Sequence, residues 1–229
     1  MDDYAKLKQF WDGVFKEKEE VQPLQGKWVE EEKFNQVIRS YVKPNGMVLD
    51  YGCGSGWGLM EIAFTVKVQQ GIGIDVSPNG VKRANEVAAA SGLSNLSFYC
   101  GDQNLLCGYP EMFDFILCVN TLDVVPDNVQ AEILERLSAA LQPNGHLFVG
   151  LNPDFSEEVL MERLGMTKNG HYFYKDGVLR ANKKSVEEWR ELLSNYFVVE
   201  ENFTFSLNER ERQYPRVGFL LASRSRVIA

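Results

Sequence analysis

Long apolar runs, closely spaced cysteine pairs and histidines are scarce in this sequence of 229 residues. It has no stretch of about 18 apolar residues, which argues against a membrane-spanning helix. The first residues, M-D-D-Y, are acidic and lack the apolar centre of a secretory signal. The four cysteines form no Cys-x-x-Cys pair, and neither histidine lies near one at zinc-ligand spacing. We therefore expect reduced thiols, no bound metal and a cytoplasmic location.

An excess of positive charge is also missing. The chain has 24 Lys and Arg against 32 Asp and Glu, a net charge of −8. Proteins that bind nucleic acids usually have a basic surface, because Lys and Arg side chains contact the phosphates. This chain is acidic, so a nucleic-acid partner is not expected. One basic cluster near the end of the chain is interpreted as a solvated hairpin end: Arg210, Arg212, Arg216, Arg224 and Arg226.

Apolar runs alternate with helix-like segments in the middle of the chain. The runs predict five strands, at residues 47–50, 71–75, 96–100, 113–119 and 146–150. Strands that alternate with helices imply right-handed crossovers and a parallel sheet with helices on both faces. The sequence therefore predicts a single α/β domain whose core is residues 45–150.

The two ends of the chain follow other patterns. Residues 1–43 predict two helices, which we interpret as an N-terminal helical cover. Residues 151–184 are interpreted as an insertion after the fifth strand, helical around 157–164. Within residues 185–229, a capping box at S-V-E-E opens a helix, and two strands with only a loop between them follow it. These strands predict an antiparallel pair that closes the sheet; the oligomeric state is expected to be a monomer or a homodimer.

Three glycines alternate directly after the first predicted strand, in D-Y-G-C-G-S-G (50–56). Glycine allows a positive φ and the close approach of a ligand, and ligands of open α/β sheets bind beyond the carboxyl ends of the strands. Asp75 ends the second predicted strand about 20 residues further on, where a carboxylate accepts hydrogen bonds from ribose hydroxyls. Asp102, followed by Gln103, ends the third. Together with Asp50, acids end three successive strands, which favours a nucleoside-containing ligand.

These motifs resemble the class I S-adenosylmethionine-dependent methyltransferases. The matching segments stand in the family's order and spacing: V-L-D-Y-G-C-G-S-G (48–56), G-I-G-I-D (71–75), F-Y-C-G-D (98–102), F-D-F-I-L-C-V-N (113–120) and L-Q-P-N-G-H-L-F-V (141–149). The resemblance implies a Rossmann-like sheet of seven strands, mixed because the last strand is antiparallel, with helices on both faces. It implies S-adenosylmethionine as the cofactor and S-adenosylhomocysteine as its product.

Carried over by position, the resemblance also implies a cofactor site. The three glycines of the loop would let the backbone pass close to the methionine part of the cofactor. Asp75 would hold the two ribose hydroxyls, and Asp102 would accept a hydrogen bond from the adenine amino group. The implied cofactor residues are Asp50, Gly52, Cys53, Gly54, Gly56, Asp75, Val76, Asp102, Gln103 and Asn120.

The sequence indicates less about the residues that bind the methyl acceptor. Asn120 would lie near the sulfonium and the methyl acceptor, and the insertion would cover the acceptor site. Trp11 and Trp28 are either part of the N-terminal cover or core residues. His171 and Asp123 are candidate general bases, with nothing in the sequence to favour one of them.

The function expected from the resemblance is in-line methyl transfer to an oxygen or nitrogen of a small molecule. A protein acceptor and a non-catalytic S-adenosylmethionine-binding protein are the alternatives. A nicotinamide dehydrogenase is disfavoured because Trp57 occupies the third small position of its glycine fingerprint. A phosphate-binding P-loop is disfavoured because no lysine follows Gly56.

Overall fold

The computed structural model describes residues 2–16, 21–26, 32–207 and 211–224. Its helices are α1 (Asp3–Lys16), α2 (Glu32–Tyr41), α3 (Trp57–Thr65), α4 (Pro78–Ala90), α5 (Asp127–Ala140) and α6 (Val186–Ser194). Its strands are β1 (Met47–Tyr51), β2 (Gln70–Asp75), β3 (Leu96–Cys100), β4 (Phe113–Val119), β5 (Leu141–Pro153), β6 (Thr167–Asn169), β7 (Tyr172–Lys175), β8 (Val178–Asn182), β9 (Phe197–Phe205) and β10 (Arg216–Ser223).

Seven of the strands form one sheet in the order β3-β2-β1-β4-β5-β10-β9. The strands from β3 to β5 pair in parallel, whereas β10 is antiparallel to both of its neighbours. Two apolar clusters cover opposite faces, one including side chains of α5 and α6 and the other including α2, α3 and α4. The predicted seven-stranded mixed sheet is therefore confirmed.

Two helix starts follow from local capping. Ser77 caps α4 by accepting a hydrogen bond from the Gly80 amide at 2.9 Å, with Pro78 in the first helical position. Ser185 and Glu188 form the predicted capping box of α6, with each side chain accepting from the other residue's backbone amide. Both side chains satisfy amides that a helix start leaves without partners.

Strand β5 begins earlier than the sequence pattern predicts. It starts at Leu141, which pairs with Phe113, rather than after the turn-like P-N-G (143–145). The pairing of β4 with β5 shifts between Phe113 and Phe115, and Asn144 has a φ of 62°. The turn signal therefore marks an irregularity inside the strand, because asparagine tolerates the left-handed conformation at such a position.

The insertion contains more structure than the single predicted helix. A short helical segment with a π-helical turn at Val159–Arg163 is present. A separate three-stranded antiparallel sheet, β6-β7-β8, then follows. The sequence analysis missed this sheet, and the boundaries that it gives for the cover, core, insertion and C-terminal segment stay predictions.

None of the helices among the described residues is long and apolar enough to cross a membrane. Within the same ranges, no group of three or more His, Cys, Asp or Glu side chains is placed to hold a metal ion. Trp28, Arg210 and Arg226, which the sequence analysis singled out, lie outside the described residues.

Candidate active site

A cleft opens at the carboxyl ends of β1, β2, β4 and β5, and α1 lies against it. In the sheet, β1 lies between β2 and β4. The chain therefore continues from β1 to one side of the sheet through β2 and β3, and to the other side through β4 and β5. Ligands of α/β sheets bind at such a switch point. The cleft holds about 860 Å³ of empty space, including its mouth to solvent.

The glycine loop after β1 forms one wall of the cleft. Gly52, Gly54 and Gly56 have φ angles of 75°, 53° and 84°, a region that residues with a Cβ rarely adopt. A Cβ on Gly52 would overlap the Thr121 hydroxyl and lie 2.8 Å from Thr121 Cγ2. A Cβ on Gly54 would lie 2.8 Å from the ring of Phe15. The loop therefore presents bare backbone at these glycines, where a side chain would not fit without a shift of its neighbours.

Asp75 holds this loop in place from the end of β2. Its carboxylate accepts hydrogen bonds from the amides of Gly54 and Ser77, each at 2.8 Å. Burial raises the pKa of Asp75, while these two amides lower it. Asp75 also lines the cleft, so it both orders the loop and faces the open space of the site.

Asp50 lies deeper, below the glycine loop rather than on the wall of the cleft. The residue is 3% exposed and accepts a hydrogen bond from the Leu59 amide in the first turn of α3, at 3.1 Å. Burial, together with the nearby charge of Asp75, raises the pKa of Asp50 to about 7, although the hydrogen bond from the Leu59 amide opposes the shift. Asp50 therefore anchors the start of α3, and a direct contact with the cofactor stays a prediction.

Asp50→Asn is expected to gain stability relative to the parent as pH rises. The folded parent binds the Asp50 proton more tightly than the unfolded chain, whose carboxyl has a pKa of about 3.9. Parent stability should therefore fall between about pH 4 and pH 7, and the neutral amide does not share this loss. Urea unfolding of the cofactor-free proteins should show the difference in unfolding free energy growing by about 1–3 kcal/mol between pH 5 and pH 8.

Asp154→Asn is the matched control, because Asp154 is an exposed acid paired with Lys183. Its stability difference from the parent should change little over the same pH interval. A constant difference for Asp50→Asn would contradict a buried, protonatable Asp50.

Asp102 and Gln103 lie at the end of β3, where α1 already contacts both. Lys8 of α1 forms an ion pair with Asp102 at 3.0 Å, and Tyr4 donates to Gln103 Oε1 at 3.3 Å. Gln103 also donates to Glu132 at 2.7 Å. The Lys8 ammonium lowers the pKa of Asp102, although partial burial opposes it. An adenine amino group that donates a hydrogen bond to Asp102 would either share this carboxylate with Lys8 or displace the Lys8 ammonium from it.

Of the remaining predicted cofactor residues, some line the cleft and others lie behind its wall. Cys53 and Val76 line the cleft, with Cys53 buried in the glycine loop. Gly56 caps the start of α3, and a Cβ there would meet the ring of Phe98. Of the ten predicted residues, six line the cleft: Gly52, Cys53, Gly54, Asp75, Val76 and Asn120.

Asn120 has a left-handed backbone conformation at the end of β4. Its φ is 59°, which is uncommon for a residue other than glycine and is often found at functional sites. Its side-chain oxygen accepts a hydrogen bond from Arg216, which is 6% exposed and also donates to the Leu151 carbonyl. Glu211 receives two hydrogen bonds from the same guanidinium, each at 2.7 Å.

The interpretation of Arg216 as part of a solvated hairpin end is therefore wrong. Its partners, Glu211 and Asn120, supply the charge and hydrogen bonds that burial of a guanidinium requires. The sequence analysis missed the pair of Arg216 and Glu211, which lies behind Asn120 at the edge of the candidate site. Arg216 holds the Asn120 side chain, Glu211 holds Arg216, and Asn120 lines the cleft.

Helix α1 covers the cleft with one face. Tyr4, Leu7, Trp11 and Phe15 line the cleft and recur at the spacing of a single helical face. Asp12, on the same helix, accepts hydrogen bonds at 2.9 Å from the Ser77 hydroxyl and from the amide and side chain of Asn79, at the start of α4. Trp11 thus belongs to the wall of the site.

Neither candidate base lines this cleft. Asp123 is half-buried and accepts hydrogen bonds from the Asn152 amide at 2.7 Å and from the Asn152 side chain at 3.3 Å. His171 lies 2.9 Å from Asp127 at the start of α5. Both residues line a second cleft, between the insertion, β5 and α6.

The sheet order, the backbone cradle at the switch point and the acid that faces it define a class I methyltransferase fold. A family of methyltransferase domains matches residues 42–196, which is more than half of the chain. The chain therefore belongs to the class I S-adenosylmethionine-dependent methyltransferases, and S-adenosylmethionine is the cofactor of that family.

Two relatives carry names that specify different methyl acceptors. Ubiquinone biosynthesis O-methyltransferase of Leptothrix cholodnii is 27% identical over 144 residues, covering 61% of this chain and 56% of that protein. Ajmaline N-methyltransferase of Rauvolfia serpentina is 34% identical over 161 residues, covering 67% of this chain and 50% of that protein. The chain thus spans about half the length of these relatives.

Solved structures share the fold at low sequence identity. An S-adenosylmethionine-dependent methyltransferase of Methanosarcina mazei is 20% identical with a TM-score of 0.66, covering 82% of this chain and 96% of that one. A chain from the complex of the Haloferax volcanii Trm112 activator with a methyltransferase is 18% identical with a TM-score of 0.65, covering 86% of this chain and 100% of that one. At identities this low, the similarity shows a shared fold and nothing about function.

Proposed function

We propose that this protein transfers the methyl group of S-adenosylmethionine to a small-molecule acceptor. One observation supports the small acceptor above others: α1 lies across the cleft and is fixed to α4 by Asp12. A cleft covered in this way suits a metabolite better than a side chain on a folded protein. The net charge of −8 also disfavours nucleic acid.

The cofactor would occupy the β1–β2 side of the cleft. The cradle of Gly52 and Gly54 suits the methionine part, since a Cβ at either position would meet a neighbouring side chain. Asp75 would accept hydrogen bonds from the ribose hydroxyls through lone pairs that its two amide donors leave available. Asp102, with Gln103 beside it, would bind the adenine amino group.

The acceptor would occupy the β4–β5 side, next to Asn120. A sulfonium methyl group is already activated by its charge, so the protein's task is alignment and exclusion of water. Asn120 is suited to alignment because Arg216 fixes its side chain. The insertion, which places His171 against Asp127, would bound the acceptor side from outside.

Calorimetric titration of the full chain tests the cofactor assignment. S-adenosylmethionine and S-adenosylhomocysteine are expected to bind with micromolar dissociation constants, and NADH is expected not to bind. Binding of NADH alone would mean that the glycine loop serves a dinucleotide. Binding of both sulfur compounds without turnover on small molecules or on protein substrates would favour the non-catalytic alternative.

A further inference from the structure

Resting on the proposed function, we infer that the methyl acceptor carries a carboxylate, which Arg180 binds in the second cleft while the rest of the acceptor reaches the first. The second cleft lies between the insertion, β5 and α6. Arg180 belongs to β8, in the insertion, and lines this cleft. Arg180 is then a residue that determines which acceptors bind, and the atom that is methylated lies beside Asn120.

Arg180 occupies a β-bulge. Phe173 pairs with Ala181 and Tyr174 pairs with Leu179, so Arg180 is an extra residue on β8 without a partner on β7. In the three-stranded sheet, β8 is also an edge strand. Bulges are common at sheet edges and beside active sites, where they change the direction of a side chain. The backbone of β8 therefore departs from regular pairing at the residue that lines the cleft.

The ring of Phe10, on α1, supports the Arg180 guanidinium, whose central carbon lies 4.0 Å from the centre of the ring. Such stacking uses the flat face of a guanidinium and leaves the N–H donors, which lie in its plane, for other partners. Within the described ranges of the chain, these donors make no hydrogen bond or ion pair. Burial lowers the pKa of Arg180, so this cation has lost part of its hydration. A carboxylate would restore the lost hydrogen bonds as a bidentate partner.

The lysines of the second cleft already have acidic partners. Three lysines line it, and each ammonium lies within 2.7 Å of a carboxylate: Lys168 with Glu157, Lys183 with Asp154 and Lys184 with Asp127. Asp123, a further acid of the lining, accepts two hydrogen bonds from Asn152. Among the described lysines and arginines of the lining, Arg180 is therefore the cation available to a ligand. A single available guanidinium matches the single charge of a carboxylate better than the double charge of a phosphate.

The two clefts lie side by side, so one molecule would reach both. Asn152 lines both of them. On α1, Trp11 lines the first cleft, and its neighbour Phe10 supports Arg180 at the second. An acceptor anchored by its carboxylate at Arg180 would therefore extend past Asn152 and present its oxygen or nitrogen to the methyl group beside Asn120.

Binding of two matched probes to the complex with S-adenosylhomocysteine tests this inference without turnover. The probes are hydroxyphenylpropanoate and hydroxyphenylpropanamide, which have nearly the same shape and differ in charge. Calorimetry should show that the parent binds the carboxylate about 10-fold or more tightly than the carboxamide, as a charge-assisted bidentate pair predicts. In NMR spectra, the Nε–H signal of Arg180, assigned by its loss in Arg180→Gln, should shift with the carboxylate and not with the carboxamide.

Substitutions of Arg180 connect this preference to one side chain. Arg180→Gln should bind the two probes with affinities within about two-fold of each other, because the charge is gone. Arg180→Lys should keep part of the preference, since lysine keeps the charge without the planar fork. Arg190→Gln, which changes an exposed arginine of α6 outside both clefts, is the control and should keep the full preference. All three variants should bind S-adenosylhomocysteine as the parent does, because neither arginine lines the first cleft.

The outcomes separate the inference from the proposed function. Equal binding of the carboxylate and the carboxamide by the parent would overturn the inference, as would a preference that Arg180→Gln retains. Tighter binding of hydroxyphenylethylphosphonate than of the carboxylate, lost in Arg180→Gln, would mean that the acceptor carries a phosphate instead. Each of these results leaves methyl transfer intact. Failure of the parent to bind S-adenosylhomocysteine would instead overturn the proposed function.

Discussion

Gly52→Ala is expected to reduce the affinity for S-adenosylmethionine by about 100-fold or more, because the new Cβ both strains the backbone and overlaps a neighbouring side chain. The residue has a φ of 75°, and a Cβ would overlap the Thr121 hydroxyl. Relief of this overlap requires the loop to move away from β4, which would open the cradle. Calorimetry with S-adenosylmethionine and S-adenosylhomocysteine measures the loss, and urea unfolding should show a fall in unfolding free energy of about 3 kcal/mol.

Gly92→Ala is the control that measures only the free-energy cost of placing alanine at a positive φ. Gly92 has a φ of 72°, and nothing lies within 4 Å of a Cβ built there. This control should lose only about 1 kcal/mol of stability and bind the cofactor as the parent does. In the double variant Gly52→Ala/Thr121→Ala, part of the affinity should return, because the overlapping hydroxyl and methyl are gone. Equal behaviour of Gly52→Ala and Gly92→Ala would contradict the contact with Thr121.

Features fixed by neighbouring residues are the ones that the sequence predicts well. The strand ends of β3 and β4 and the caps at Ser77 and Ser185 each depend on a few consecutive residues. The glycine loop belongs to the same group, since its positive φ angles are needed wherever this strand–loop–helix turn occurs. Family membership follows from such local motifs, and the comparison with known proteins confirms it.

The three-stranded sheet of the insertion had a local signal that the sequence analysis did not use. Asp176 and Gly177, with φ angles of 52° and 72°, form the two-residue turn between β7 and β8. Asp-Gly at such a turn is a strong hairpin signal, because both residues tolerate positive φ. Gly170, with a φ of 61°, opens the other two-residue turn, between β6 and β7.

Other parts of the site depend on distant residues and have no local signal. Arg216 is buried because Asn120 and Glu211 pair with it, and Asn120 is 96 positions away in the chain. A run of arginines in the sequence does not reveal which of them will find such partners. Likewise, the spacing of Tyr4, Leu7 and Trp11 predicts a helix with one apolar face, but the cleft beneath that face is formed by strands elsewhere in the chain.

Asp75→Asn is expected to weaken the binding of S-adenosylmethionine and S-adenosylhomocysteine equally, by about 10–100-fold. Both carboxylate oxygens accept amide hydrogen bonds, from Gly54 and Ser77. An asparagine must turn its NH₂ group toward one of these amides, which leaves a buried donor without a partner at a cost of about 1–3 kcal/mol. The proposed ribose contact is lost as well, and ribose is common to both ligands.

The comparison of the two ligands makes this experiment specific to the ribose and the loop. An effect through the sulfonium would weaken S-adenosylmethionine more than S-adenosylhomocysteine, whereas an effect through Asp75 should not distinguish them. Asp154→Asn, an exposed acid outside the cleft, serves as the control and should leave both affinities unchanged. Unchanged affinities in a folded Asp75→Asn protein would mean that β2 does not supply the ribose contact. Because Asp75 orders the glycine loop before any ligand binds, hydrogen exchange at the Gly54 amide should also rise in the cofactor-free variant.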